Sequence, residues 1–284
     1  ESLDAIESAV SAGNLSQTAA ENVKAWLTQD RYSEYQGAVI EHIEGEMWKP
    51  LDDAFWTIIP FGTGGRRGRM YPIGSNAIND RTIGESAQGL ADYVVEHSDG
   101  KKDLSCAIAY DTRHKSRHFT ELCAGIMVAA GFKVYLLDDY RATPQLSFAV
   151  RAKQCDCGIM VTASHNPPSD NAVKVYWSSG AQVLPPHDKG IIDRVMTCQE
   201  INVTPFDQAV AEGKVEVVTD EIDAMFTNAA VACGFVGPRD AKILYSPLHG
   251  VGAAAVLPVL EQDGFSDVHV YQPPANPSGD FPNV

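Results

Sequence analysis

The chain has 284 residues, enough for two ordinary domains or one large one, and 44% of them are hydrophobic and 21% charged, the balance of a folded globular protein. A formal net charge of −15 argues against nucleic acid as a general partner, because phosphate backbones attract basic surfaces, while a local basic cluster can still hold a small anion. The longest apolar stretches, 124–132 and 251–260 with Pro258 inside, are too short to span a bilayer, so no membrane association is expected.

The first residues, Glu1-Ser2-Leu3-Asp4, carry no basic region followed by an apolar run, so no signal peptide is visible. Glu1 stands where an initiator Met would, and the N-terminus is read as trimmed. The six cysteines (106, 123, 155, 157, 198 and 233) form no C-x-x-C pair and no zinc spacing, and most lie in apolar segments. A reduced, cytoplasmic setting is expected.

The opening is helical. Thr18-Ala19-Ala20-Glu21 has the form of a capping box ahead of Val23, Ala25, Trp26 and Leu27, and a second amphipathic stretch runs from about Tyr35 to Trp48. After a glycine-rich segment at 62–68, residues 81–96 read as another helix. Strands and helices then alternate: strand Cys106–Tyr110, helix Phe119–Ala130, strand Lys133–Leu137, helix Pro144–Lys153, strands Gly158–Val161 and Ala172–Trp177, helix Lys189–Met196. Such alternation predicts an α/β fold of layered α/β/α domains with mixed, mostly parallel sheets behind a helical N-terminal preface.

Residues 199–218 are polar, contain Pro205 and Gly213, and read as a boundary. Beyond them come a helix at about 220–233, a strand at Lys242–Tyr245, a helix at about 250–262 and a strand at Asp267–Tyr271. Two strands cannot form an independently stable sheet layer, and the last twelve residues carry four prolines, so the second unit is read as incomplete.

Four segments carry candidate chemistry. Thr162-Ala163-Ser164-His165-Asn166-Pro167 ends the apolar run 158–161, which places a hydroxyl where a buried strand breaks into a loop. Serine is a poor nucleophile unaided, no G-x-S-x-G elbow surrounds Ser164, and neighbouring side chains in an extended segment diverge, so His165 is not simply its base. A plain turn is the competing reading. The second segment, Phe61-Gly62-Thr63-Gly64-Gly65-Arg66-Arg67-Gly68-Arg69, offers three arginines and exposed backbone N–H groups to a phosphate, or is a solvated basic loop. Third, Asp111 and Arg113 follow a strand and could position a substrate or each other. Fourth, Lys174 lies between Val173 and Val175, where burial would disfavour its charge and suit proton transfer, unless it is an edge lysine reaching water. The glycines of 249–255 match G-x-G-x-x-A, but the following strand ends Val270-Tyr271-Gln272 without the acidic residue a dinucleotide needs, so they are assigned to helix–strand packing.

In their order along the chain these segments resemble the α-D-phosphohexomutases, the phosphoglucomutase/phosphomannomutase superfamily, over most of the sequence from about Trp26. The helical preface and Ser246-Pro247-Leu248-His249-Gly250-Val251-Gly252 look most like its longer branch, typified by phosphoglucomutase-2, which includes glucose-, mannose- and pentose-phosphate mutases. The resemblance implies a preface at 1–58, a phosphoserine domain I at 59–212 and an incomplete domain II at 213–284, with domains III and IV absent. It implies that Ser164 carries a phosphoryl group, that Lys174 is the general acid/base, and that Arg67 and His165 complete the catalytic set. Arg66, Asp111, Arg113 and Asn166 are expected to bind substrate or phosphate.

The implied reaction moves a phosphoryl group between the 1- and 6-positions of a hexose phosphate, glucose or mannose, through a bisphosphate intermediate. A sugar phosphate is the expected small-molecule partner, Mg2+ the metal, and a glucose 1,6-bisphosphate-type compound the activator. Ser164 would reach the metal through its phosphate, with the other ligands in an Asp-Gly-Asp-x-Asp-Arg loop expected beyond Phe281-Pro282. Residues 1–284 alone are therefore expected to be inactive. The alternatives are a phosphopentomutase, a non-catalytic sugar-phosphate-binding relative, and a serine-dependent phosphatase.

Overall fold

The computed structural model describes residues 1–62 and 64–284; Thr63, in the glycine-rich segment, lies outside them. The preface is a bundle of α1 (Ser2–Ser11), α2 (Gln17–Thr28), a 3-10 turn (Asp30–Tyr35), α3 (Gln36–Glu44) and α4 (Trp48–Phe55). Ser16, rather than Thr18, caps α2: its hydroxyl accepts from Ala19 N at 3.3 Å, so the expected capping box sits two residues too far along. The bundle closes on Trp26, 2% exposed, which stacks on Tyr32 at 4.6 Å and meets the edge of Phe55 at 5.3 Å. The expected single helix over 35–48 breaks at Gly45–Met47, where Glu46 takes positive φ, before α4 begins.

The central unit follows as β1 (Gly65–Arg69), α5 (Asp80–Glu96), β2 (Ser105–Tyr110), α6 (Ser116–Ala129), β3 (Lys133–Leu136), α7 (Thr143–Ala152), β4 (Cys157–Val161), β5 (Asp170–Trp177), α8 (His187–Thr197), α9 (Phe206–Ala211) and β6 (Val215–Val217). Its strands form one sheet in the order β1-β5-β4-β2-β3-β6, with β4, β2, β3 and β6 parallel and β5 and β1 antiparallel to their neighbours. β2 and β4 are buried along their whole length, as expected of parallel strands covered on both faces. One face packs Ile108, Ile159 and Val175 under α5, α6 and α8; the other packs Ala107, Met160 and Tyr176 under α7 and α10 (Thr219–Ala232). This is the α/β/α layering the sequence predicts, and among the described residues no helix is long and apolar enough to cross a membrane.

Two differences move boundaries. The glycine-rich segment is not a loop throughout, because β1 pairs with β5 from Gly65↔Lys174 to Arg69↔Asp170. The polar stretch 199–218 contains β6, which pairs with β3, so the first sheet continues to Val217, past the expected boundary at 212. The remaining chain forms β7 (Ile243–Tyr245), α11 (Ala253–Gln262) and β8 (Val268–Val270), a two-stranded parallel sheet whose helix buries none of its residues fully.

Gly65 is indispensable to this edge. It takes φ +145°, and a Cβ there would stand 2.1 Å from the Val173 carbonyl oxygen and 2.9 Å from Lys174 Cα. Gly65→Ala is expected to push β1 away from β5 and lower stability by about 2–3 kcal/mol, read as an earlier midpoint of urea unfolding.

Candidate active site

The connection after β2 runs toward β3 on one side and the connection after β4 runs toward β5 on the other, so these neighbours form a topological switch point. Ligands of open α/β sheets bind outside the carboxyl ends of strands at such a place. The turn beginning at Asp111 and the loop carrying Ser164 both leave the sheet there.

Asp111 organises the pair. It is 8% exposed, and a buried carboxylate must be matched by donors or positive charge. One oxygen accepts from Arg113 N at 3.0 Å and from Ser116 Oγ at 2.8 Å. The other accepts from Thr162 Oγ and lies 3.3 Å from Arg113 Nε. Thr162 Oγ in turn accepts from Ser164 N at 3.0 Å, so the Asp111 carboxylate reaches the Ser164 backbone through one hydroxyl.

Arg113 fixes the rest of the loop. Its two terminal nitrogens donate to four carbonyls, those of Pro167 (2.6 Å), Asp170 (3.0 Å), Ser164 (2.9 Å) and Asn166 (2.6 Å). Four guanidinium donors thus meet four carbonyls while Nε faces Asp111 as an ion pair without a hydrogen bond, and the planar fork dictates the curvature of residues 164–170. Held this way, Ser164 takes φ +59°, a left-handed conformation that non-glycine residues rarely adopt, and its side chain stays exposed. The same twist overturns the expected divergence of neighbouring side chains, bringing His165 Nδ1 to 3.3 Å from Ser164 Oγ.

Arg67 and Lys174 share one face of the edge ladder, since Arg67 pairs with Ala172 and Lys174 with Gly65 two residues along. Arg67 is exposed and makes no ion pair among the described residues. Lys174 is half-buried between β1 and β4. Burial pushes its ammonium below the usual lysine value, the Arg67 charge adds to this, and Asp111 opposes both. Arg67, Lys174 and Asp111 therefore form one electrostatic group beside the Ser164 loop.

The other expected contacts lie elsewhere. Strand alternation sends Arg66 to the opposite face from Arg67. There, 1% exposed, it donates to Thr82 O and Glu85, both on α5. The Asn166 amide donates to Asp170 within the loop. Asp111 and Asn166 thus turn polar groups to protein partners, and Arg66 and Arg113 do the same with their terminal nitrogens, their Nε atoms being buried without a hydrogen bond. Three residues of the network escape the sequence reading: Thr162, Ser116, and Asn171, whose amide donates to Ser116 Oγ and His114 O. Thr162 had a local signal, a hydroxyl two residues before the backbone N–H it accepts. Ser116 and Asn171 are 55 residues apart, and neither has a local signal.

Among the described residues no group of three or more His, Cys, Asp and Glu side chains is arranged to hold a metal ion. The Asp111 carboxylate is fully engaged and Asp280 is bound to His114, so these residues do not by themselves fit Mg2+.

Residues 59–202 match the family model described as "Phosphoglucomutase/phosphomannomutase, alpha/beta/alpha domain I". A phosphoglucomutase of Staphylococcus saprophyticus is 30% identical over 93% of this chain and 46% of its own length. The phosphoribomutase of Saccharomyces cerevisiae is 32% identical over 81% of this chain and 39% of its own, and the human phosphopentomutase 37% over 65% and 30%. The crystal structure of a phosphoglucomutase/phosphomannomutase family protein from Burkholderia thailandensis superposes with a TM-score of 0.59, at 20% identity, over 80% of this chain and 46% of that one, a likeness of fold. The chain spans about half the length of the curated relatives it matches.

The Lys174 environment has a direct test. A lysine whose folded value lies below 10.5 makes stability greatest above that pH and loses it as pH falls through the folded value, since the unfolded chain binds the proton first. Arg67→Gln removes a repulsion, so the Lys174 value should rise toward 10.5 and the loss on acidification shrink, both visible in an NMR titration of Lys174 and in urea midpoints against pH.

Proposed function

The chain belongs to the phosphoglucomutase/phosphomannomutase family, and from that premise we propose that the full-length protein is a sugar-phosphate mutase whose phosphoryl carrier is Ser164. The observation that carries the proposal is the exposed Ser164 hydroxyl on a loop clamped by Asp111 and Arg113, beside the cationic pair Arg67 and Lys174.

Phosphoryl transfer asks the protein mainly for position and charge neutralisation. In the first half-reaction the P–O bond to Ser164 Oγ breaks and a P–O bond forms to a sugar hydroxyl. Neutral Lys174, made more accessible by its lowered pKa, takes the proton of the attacking sugar hydroxyl, and the ammonium so formed gives it to the departing Ser164 oxygen. In the second half-reaction Lys174 takes the Ser164 proton as the serine oxygen attacks the other phosphate of the bisphosphate, whose P–O bond to the sugar breaks, and passes that proton to the departing sugar oxygen. Arg67 offers charge to the migrating phosphoryl oxygens, and His165 lies close enough to orient the Ser164 hydroxyl. Residues 1–284 on their own are expected to be inactive.

A hexose phosphate, of glucose or mannose, is the first substrate reading. The pentose reading has its own support, since relatives named phosphoribomutase and phosphopentomutase match as well as those named phosphoglucomutase.

Full-length protein incubated with glucose 1,6-bisphosphate should acquire one phosphoryl group, located on Ser164 by mass spectrometry. Ser164→Ala should abolish the label and lower mutase turnover by at least about 10³-fold. An unlabelled Ser164 under turnover would favour the non-catalytic sugar-phosphate-binding relative. Rates with glucose, mannose and ribose phosphates assign the substrate.

A further inference from the structure

The short turn 112–114 touches two separate parts of the chain, and only one of them is the Ser164 loop. On its far side it meets the loop that follows β7 and the segment that follows β8. Thr112 Oγ donates to the His249 carbonyl at 3.3 Å, and His114 Nε2 lies 2.6 Å from an Asp280 carboxylate oxygen. Between them the Arg113 guanidinium carbon stands 5.2 Å from the centre of the Phe281 ring. The approach is close: a Cβ on Gly279 would lie 2.9 Å from both Thr112 O and His114 N, so only glycine lets the two backbones meet.

The docked segment is itself tied down. His249, 4% exposed, donates from Nδ1 to Asn276 O at 2.8 Å, and its other ring nitrogen meets the Asn283 amide at 3.0 Å. The His249 backbone accepts from Ser278 N at 3.1 Å and donates to Pro274 O at 2.8 Å. Residues 274–283 therefore form a knot around His249, and that knot rests on the turn.

Arg113 stands at the crossing. Its edge holds the four loop carbonyls and its face is covered by an aromatic ring. An aromatic ring attracts a guanidinium, and covering the guanidinium keeps water from competing for its hydrogen bonds. We infer that Arg113 is a positioning residue that sets the Ser164 loop in register with the segment 274–283, and that Phe281 is the residue through which the segment acts on the loop. The contacts stand without any reaction; only the consequence for turnover rests on the mutase reading.

The test uses the full-length protein and two variants. Phe281→Leu keeps an apolar side chain and removes the ring face; Arg113→Lys keeps the charge and removes the fork. Backbone hydrogen exchange of peptides covering 162–172 should quicken by about 3- to 30-fold in Phe281→Leu, the range a cation–π contact supports. Mutase kcat should fall by a similar factor with KM for the sugar phosphate within about threefold, the signature of lost positioning. Arg113→Lys should slow turnover by more than tenfold, and adding Phe281→Leu to it should change little, because the ring then has no guanidinium to cover. Wild-type exchange over 162–172 in Phe281→Leu, or fully additive effects in the double variant, would overturn the inference. Faster exchange in a protein whose Ser164 takes no phosphoryl group would uphold the register and refute the mutase.

Discussion

A single buried carboxylate decides where the candidate nucleophile stands. Asp111 at the end of β2 draws in Ser116, Thr162 and Arg113, because a carboxylate removed from water must be surrounded by donors. Arg113, held by Asp111, in turn satisfies carbonyls of the neighbouring loop that would otherwise turn to water. The strained backbone at Ser164 is sustained by these outside contacts, since nothing in an isolated Ala-Ser-His-Asn peptide favours a left-handed serine. The hydroxyl is therefore delivered to the sheet end by interactions that do not involve the hydroxyl itself.

The opposite wall depends on strand alternation. Adjacent arginines on β1 point to opposite faces: Arg67 toward Lys174, Arg66 into a buried pairing with Glu85. Glu85 also binds Arg81, which donates to the Arg31 and Cys198 carbonyls, so the back of β1 is joined to the helical preface and to the end of α8. A cavity of about 250 Å³ lined by Trp26, Tyr32, Arg66 and Met196 marks the same junction. The preface thus supports the strand that carries Arg67 from behind, which links a core built on Trp26 to the placement of a surface arginine.

Much of the α/β unit was legible because it rests on local rules. Apolar runs such as 106–110 and 158–161 have no other use than buried strands, and Phe119, Leu122 and Ile126 mark one face of a helix. What stayed hidden lacks a local signature. β1 reads Gly-Arg-Arg-Gly-Arg, poor in strand-forming residues, and exists because β5 offers an edge to pair with. β6 is three residues long and exposed at two of them. The site divides in the same way. Ser164, Lys174 and Arg67 could be picked out as residue types at strand ends and in an apolar strand. The roles of Asp111 and Arg113 could not, because their partners lie about fifty residues away and include backbone carbonyls, which every residue has.

Charge compensation finally separates the cations of the site. Arg113 sits against Asp111 and four carbonyl dipoles, so its charge is largely answered from within. Lys174 is only partly answered, since Asp111 favours its charged form while burial and Arg67 disfavour it. Arg67 has no ion-pair partner among the described residues. Arg67 and Lys174 therefore leave positive potential on the face beside Ser164, in a chain whose net charge is −15. An anion approaching such a molecule is repelled over most of its surface and attracted where uncompensated cations and a low-dielectric wall coincide. Against the acidic composition that argues against nucleic acid, Arg67 and Lys174 thus stand out as a local cationic pair beside the Ser164 loop.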